Sequence, residues 1–245
     1  MANDSTERTA VVTGAASGIG RAIARRLSDD GFHVVVADVA DGNETVDLVH
    51  DDGGSAEYRR ADVTDQESVD DLFVDLDVDA LVNNAALYGP LVENKRRFDE
   101  IDGEEFQRVL DVNVTGVFRV TKAAVPHLHP GSTVVNIGSN SAELGVPGFL
   151  HYVASKGAVL SMTRSLATEL GSADVRVNAV LPGLTMSEAT LQNDDDYIED
   201  LVSQQSIERR LEPEDVANSV AFLATAESAP MTGQVLSVDP GQTYY

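Results

Sequence analysis

The feature that most constrains the fold is a glycine-rich turn set between an apolar strand and an amphipathic helix. Residues 9–13 are short and β-branched, and they run directly into Gly14-Ala15-Ala16-Ser17-Gly18-Ile19-Gly20. Residues 21–30 follow with Ala22, Ile23, Ala24 and Leu27 at helical spacing, and Gly31 closes the segment as a helix C-cap. Glycines at such a turn let backbone N–H groups approach an anion closely, and the helix N-terminus adds a favourable dipole. The spacing is G-x-x-x-G-x-G rather than G-x-G-x-x-G, yet the strand-before, helix-after context is that of a pyrophosphate-binding turn.

The same alternation continues along the chain. Apolar runs at 32–37, 56–61, 78–82, 132–137, 175–180 and 234–238 alternate with helical patterns at 42–52, 65–75, 104–127, 152–170 and 213–224. Strands alternating with helices imply βαβ units around a buried parallel sheet, and hence an α/β doubly wound fold. No linker or repeat interrupts the pattern. Residues 9–245 therefore read as one domain, with 1–8 as a short disordered tail. The longest stretch without periodicity, 184–210, is expected to be an irregular lid or binding loop.

Composition removes several function classes. The absence of cysteine excludes disulfides, zinc–thiolate sites and thiol catalysis. The five histidines (33, 50, 127, 129 and 151) have no metal-ligand spacing, and His127 and His129 read as loop residues. With 41 acidic against 17 basic residues the net charge is -24, which repels nucleic acid and anionic lipid. Acidic runs such as 51–52, 70–71 and 194–196 sit between apolar segments, as surface charge does; they imply adaptation to a salt-rich cytoplasm, where ions screen the self-repulsion. No stretch has the ~20 apolar residues of a membrane span. The expected protein is cytoplasmic and binds no metal, membrane or nucleic acid.

Two further patterns carry chemistry. Asp38 follows the second strand, where a carboxylate accepts hydrogen bonds from an adenine-ribose diol and repels a 2′-phosphate; with Ser17 rather than a cation in the turn, this points to NAD rather than NADP. Tyr152 and Lys156 stand at i and i+4, on one helix face. Lys156 can lower the Tyr152 phenol pKa toward neutrality and make it a usable acid or base. Ser139, just past the strand at 132–137, can hydrogen-bond a substrate oxygen.

Taken in order, these motifs resemble the short-chain dehydrogenase/reductase family from about Thr9 to the C-terminus. Residues 13–20 resemble its T-G-x-x-x-G-x-G, and Asn83-Asn84-Ala85-Ala86 resembles its N-N-A-G with Ala86 in place of the last glycine. Asp62-Val63 is similar to its adenine-contacting dipeptide, Asn113 to its helix asparagine, and Pro182-Gly183 to the turn beside the nicotinamide. The resemblance implies a three-layer Rossmann fold with a mostly parallel seven-stranded sheet and helices on both faces. It implies a catalytic set of Asn113, Ser139, Tyr152 and Lys156, with Tyr152 exchanging a proton with the substrate oxygen, Ser139 orienting that oxygen, Lys156 on the nicotinamide ribose and Asn113 holding a water. It implies NAD contacts from Gly14, Ser17, Gly18, Ile19, Gly20, Asp38, Asp62, Val63, Asn84, Ala85, Tyr152, Lys156, Pro182, Gly183 and either Thr185 or Ser187. The segment between Asp65 and Asn83 is shorter than the family's, so a truncated third helix is expected.

The implied activity is hydride transfer between NAD(H) and the secondary alcohol or carbonyl of a small substrate: a sugar, a sugar-derived hydroxy acid or a secondary alcohol. Ser139, Ser141 and Tyr152 are the candidate substrate contacts, with Leu144, Val146, Phe149 and Tyr197 as candidate lining and Tyr88-Gly89-Pro90 at the border. A 3-oxoacyl-carrier-protein-type reductase and a catalytically silent NAD-binding regulator are the alternatives; Asp38 speaks against the first and the intact four-residue set against the second. The aromatic end, Tyr244-Tyr245, suggests a homotetramer.

Overall fold

The computed structural model describes residues 8–244. In chain order its elements are β1 (Arg8–Thr13), α1 (Gly18–Asp29), β2 (Phe32–Asp38), α2 (Asn43–Asp51), β3 (Ser55–Arg60), α3 (Gln66–Leu72), β4 (Val78–Asn83) and α4 (Gly89–Glu93). Then come α5 (Gly103–Leu110), α6 (Gly116–Ala124), β5 (Leu128–Ile137), α7 (Ser141–Leu144), α8 (Leu150–Leu170), β6 (Arg176–Pro182), α9 (Asp195–Ser203), α10 (Pro213–Ala224) and β7 (Val235–Val238). Arg8 begins β1 and is not part of a tail; residues 1–7 and Tyr245 lie outside the described residues.

The strands form one sheet in the order β3-β2-β1-β4-β5-β6-β7, with every neighbouring pair parallel. Side chains alternate across a strand, so an apolar run buries both faces. Ala10 and Val12 of β1, Val34 and Val36 of β2, and Ala80 and Val82 of β4 pack with α1, α2 and α10. Val11, Val35 and Leu81, one residue out of phase, pack with α3, α6 and α8 on the other face. This gives three layers. Chain order reverses between β1 and β4, and a crevice opens there beyond the strand ends, the usual ligand position in such sheets.

Two departures from periodicity matter for the site. The pattern at 104–127 is not one helix: α5 and α6 are joined by a π turn over Asp111–Thr115 that carries Asn113. The segment 184–210 is not irregular either. Thr185 bridges to Leu211, a 3₁₀ turn covers Thr190–Gln192, and α9 follows with Ile198 and Val202 buried. Acidic residues begin several helices: Asp65 accepts from Glu67 N–H, Asp102 from Glu105 N–H, and Glu212 with Asp215 closes a capping box around Pro213. His127 lies in a 3₁₀ turn and His129 at the start of β5. Among the described residues no cluster could hold a metal ion, and no helix is long and apolar enough to cross a membrane.

Candidate active site

A cleft of about 680 Å³ lies along the ends of β1, β2, β4, β5 and β6. All the cofactor, catalytic and substrate-contact candidates line it except Asn113 and Ser141.

The glycine turn forms one end. Gly14 and Gly18 have φ of +67° and +55°, a region that disfavours side chains. A Cβ on Gly14 would stand 2.7 Å from Ala85 Cα, and one on Gly20 2.1 Å from Gly14 O. The turn is strapped to the exit of β4: Thr13 Oγ1 accepts from the Asn84 and Ala85 N–H groups at 3.0 and 3.1 Å, and Asn84 Nδ2 donates to the Thr13 and Gly14 carbonyls, both at 2.9 Å. Ser17 provides no side-chain cap for α1. This cradle, too tight for a Cβ and open at a helix N-terminus, fits a dinucleotide diphosphate.

Asp38 is fixed at the end of β2 by accepting from Ala16 N–H and Ala40 N–H, each at 2.9 Å. Other lone pairs of its carboxylate remain for a ligand. Asp62 accepts from the Thr64 hydroxyl at 2.7 Å and its N–H at 2.9 Å, and these bonds hold its carboxyl below the usual range.

At the other end, α8 presents Tyr152 and Lys156. Lys156 is 3% exposed and donates to Ile137 O at 2.8 Å; burial pushes its ammonium down to about 8. Tyr152 does not show the expected lowering. Burial pushes its phenol above the ordinary value, Tyr88 adds to this, and only the neighbouring Ser139 hydroxyl opposes it. Lys156 Nζ lies 5.7 Å from the Tyr152 ring centre and is committed to the β5 carbonyl, so its charge does not offset desolvation.

Asn113 is 1% exposed, behind the cleft wall. Its Oδ1 accepts from Leu87 N–H at 2.7 Å, its Nδ2 donates to Ser155 Oγ at 3.0 Å, and Ser155 Oγ donates to Tyr152 O at 2.7 Å. Ser141 lies outside the cleft and donates to Ser139 Oγ at 2.8 Å, so it holds Ser139 rather than facing a substrate. Leu144, Val146, Phe149 and Tyr197 also lie outside the lining. Phe149 packs behind Tyr88 and Tyr152, while Leu144 is exposed. Thr185 Oγ1 is spent on Gly183 O at 3.1 Å, and Ser187 Oγ pairs with Thr190 Oγ1 at 3.2 Å; both residues line the cleft.

The sequence gives no signal for Glu188. One of its carboxylate oxygens lies 3.2 Å from the position of a Cβ on Gly18, and the other is 3.9 Å from Arg21. The positive N-terminus of α1 that suits a phosphate also suits this carboxylate.

Residues 14–243 match the family described as enoyl-(acyl carrier protein) reductase. The chain is similar to cis-4-hydroxycyclohexanecarboxylate dehydrogenase of Sinomonas cyclohexanicum, with 38% identity across 97% of each protein. It is similar to the structure of a short-chain dehydrogenase/reductase (glucose/ribitol dehydrogenase) from Brucella melitensis, with a TM-score of 0.89, 30% identity and 97% of each chain covered. It is also similar to a putative 2-deoxy-D-gluconate 3-dehydrogenase from Agrobacterium tumefaciens with bound NADP, with a TM-score of 0.88, 32% identity and 96% of each chain covered.

Burial of Lys156 has a consequence for stability. Its pKa is about 8 in the fold against 10.5 for the ordinary side chain. Below the lower value both states are protonated and the burial penalty is fully present; between the two values the unfolded chain binds the proton and the fold does not, so the penalty is relieved as pH rises. In urea titrations the wild type should therefore gain stability relative to Lys156→Met as pH rises from about 8 to 10. A stability difference independent of pH contradicts a buried, depressed ammonium.

Proposed function

The chain belongs to the short-chain dehydrogenase/reductase family, and on that premise we propose that it is an NAD-dependent dehydrogenase of small secondary alcohols, with Tyr152 as the acid/base. The observation that carries this reading is that Ser139, Tyr152 and Lys156 line the same cleft as the glycine turn and Asp38. NAD, when bound, supplies the hydride acceptor. The chain's own groups manage position and protons. The glycine turn seats the diphosphate, and the backbone-pinned Asp38 carboxylate meets the adenine ribose. Ser17 and Val39, which flank Asp38 in the cleft, carry no positive charge for a 2′-phosphate.

Ser139 Oγ, held by Ser141, orients the substrate oxygen. Tyr152 would accept that oxygen's proton as a phenolate, its own proton having first left to solvent, as the alcohol is oxidised, and as the phenol would return it in the reverse direction. A phenol raised by burial holds its proton well and becomes an effective base only when positive charge comes close. Lys156 is the group to supply that charge while it engages the nicotinamide ribose. Asn113 acts behind them by fixing the first turns of α8. A small hydroxy compound, either a sugar-derived hydroxy acid or a cyclic alcohol, is the substrate in this reading.

The test is cofactor reduction by the wild-type protein over a panel of sugars, sugar acids and cyclic hydroxy acids in molar KCl. Turnover with a higher kcat/KM for NAD than for NADP is expected. An NADP preference overturns the assignment of Asp38, and NADH binding without turnover of any alcohol favours a silent dinucleotide binder.

The charge of -24 adds a proposal about conditions. The acidic residues at 51–52, 70–71 and 194–196 are all exposed. Their mutual repulsion extends roughly 10 Å at 0.1 M salt and is screened within about 3 Å at 1 M. Tm should rise from low to molar KCl, and a Tm unchanged across that range contradicts salt adaptation. A homotetramer belongs to the same reading.

A further inference from the structure

Glu188 lines the cleft beside the glycine turn and has no task in this chemistry. A dinucleotide-binding turn needs a glycine where its backbone comes up against the pyrophosphate, because a side chain there would fill the space. Gly18, the first residue of α1, has a φ of +55°, and its open side faces the lid segment. A Cβ on it would stand 3.2 Å from Glu188 Oε2 and 3.5 Å from Ser187 Cβ. The space that this glycine leaves for a diphosphate is thus bordered by a negative charge of the chain's own.

The Glu188 carboxylate is held there weakly. Its ion-pair partner among the described residues is Arg21, at 3.9 Å, and its side chain is 61% exposed. Arg21 is committed elsewhere: it donates to Glu44 Oε2 and Ala16 O, both at 2.7 Å, and to Thr45 Oγ1 at 3.2 Å. What remains for Glu188 is the positive end of α1. The backbone around Glu188 is, by contrast, pinned. Thr185 bridges to Leu211, Met186 N–H donates to Leu211 O at 2.8 Å, and Leu191 N–H donates to Ser187 O at 3.0 Å. Met186 is buried as well. The side chain can therefore turn toward solvent while its backbone stays beside the cradle.

A diphosphate and this carboxylate are drawn to the same helix end, and like charges that close repel each other. We propose that Glu188 is a competing anion in the diphosphate cradle: seating a dinucleotide requires its carboxylate to leave the N-terminus of α1, and this holds cofactor affinity down. The inference rests on the dinucleotide-binding reading above. It gives Glu188 a part in setting cofactor affinity that is separate from the proton chemistry of Ser139, Tyr152 and Lys156.

The test is calorimetric binding of NADH and of ADP-ribose, which has the diphosphate but no nicotinamide, to wild type and three variants at low and molar KCl. Glu188→Gln should bind both ligands roughly 3–10-fold more tightly at low salt, the scale of one surface ion pair together with one helix-end charge. The gain should shrink in molar KCl, where the charges are screened. Glu188→Asp keeps the charge and should stay closer to wild type. Asp196→Asn removes a charge of the same sign from an exposed position on α9 and should leave both affinities near wild type. An equal gain in Asp196→Asn would assign the effect to net charge and overturn the proposal. Unchanged binding in Glu188→Gln would overturn it too, and weaker binding would make Glu188 a cofactor contact instead of a competitor. If neither ligand binds any variant, the dinucleotide reading itself fails and the inference with it; binding without the gain defeats the inference alone.

Discussion

The strap between Thr13 and Asn84 is the contact on which the rest of the site depends. It joins β1 to β4 where the chain order of the sheet reverses, and there it fixes the glycine turn at its entry into α1. The same backbone continues to Leu87, whose N–H donates to Asn113 Oδ1; Asn113 reaches Ser155, and Ser155 reaches the Tyr152 carbonyl. Hydrogen bonds, together with the backbone between Asn84 and Leu87, thus link the glycine turn to the turn of α8 that carries Tyr152. These amides and hydroxyls are buried or half-buried, and leaving one unpartnered there costs about 1–3 kcal/mol. In the proposed mechanism the relative positions of cofactor and proton donor are therefore set by the fold rather than by a flexible loop.

Electrostatics act on that frame in one direction. Burial disfavours charge on both Tyr152 and Lys156, raising the phenol and lowering the ammonium. Within the fold, Lys156 serves first as a donor to β5. A desolvated pair of this kind responds strongly to any charge placed beside it, because the surroundings screen little. The acidic exterior belongs to a different regime, in which water and salt screen each charge. The -24 net charge and the neutral-leaning interior are thus separate features of the chain.

Much of this was legible in the residues. Runs such as Val34-Val35-Val36-Ala37, β-branched and apolar at nearly every position and short, read as strands covered on both faces, and the glycine turn with Asp38 located the cleft end. The π turn at Asn113 was not legible, because one extra residue in a helix barely disturbs the apolar spacing of 104–127. Ser141 and Phe149 were misplaced as cleft residues because sequence proximity to Ser139 and Tyr152 does not give side-chain direction. The helix α9 was missed because its apolar stripe, Tyr197, Ile198, Leu201 and Val202, is short and set among acidic residues. Glu188 reaches its neighbours only through tertiary folding, and no local pattern announces the contact.

The central claim is that this cleft transfers hydride directly between a secondary alcohol and the dinucleotide, with Tyr152 taking the proton. Single-turnover oxidation of an alcohol deuterated at its carbinol carbon, followed by NMR of the reduced cofactor, tests it most directly. The account predicts deuterium on one face of nicotinamide C4 with wild type, and a rate lower by roughly 10²-fold or more in Tyr152→Phe with NADH binding retained. Deuterium lost to solvent, or a Tyr152→Phe rate equal to wild type, contradicts it.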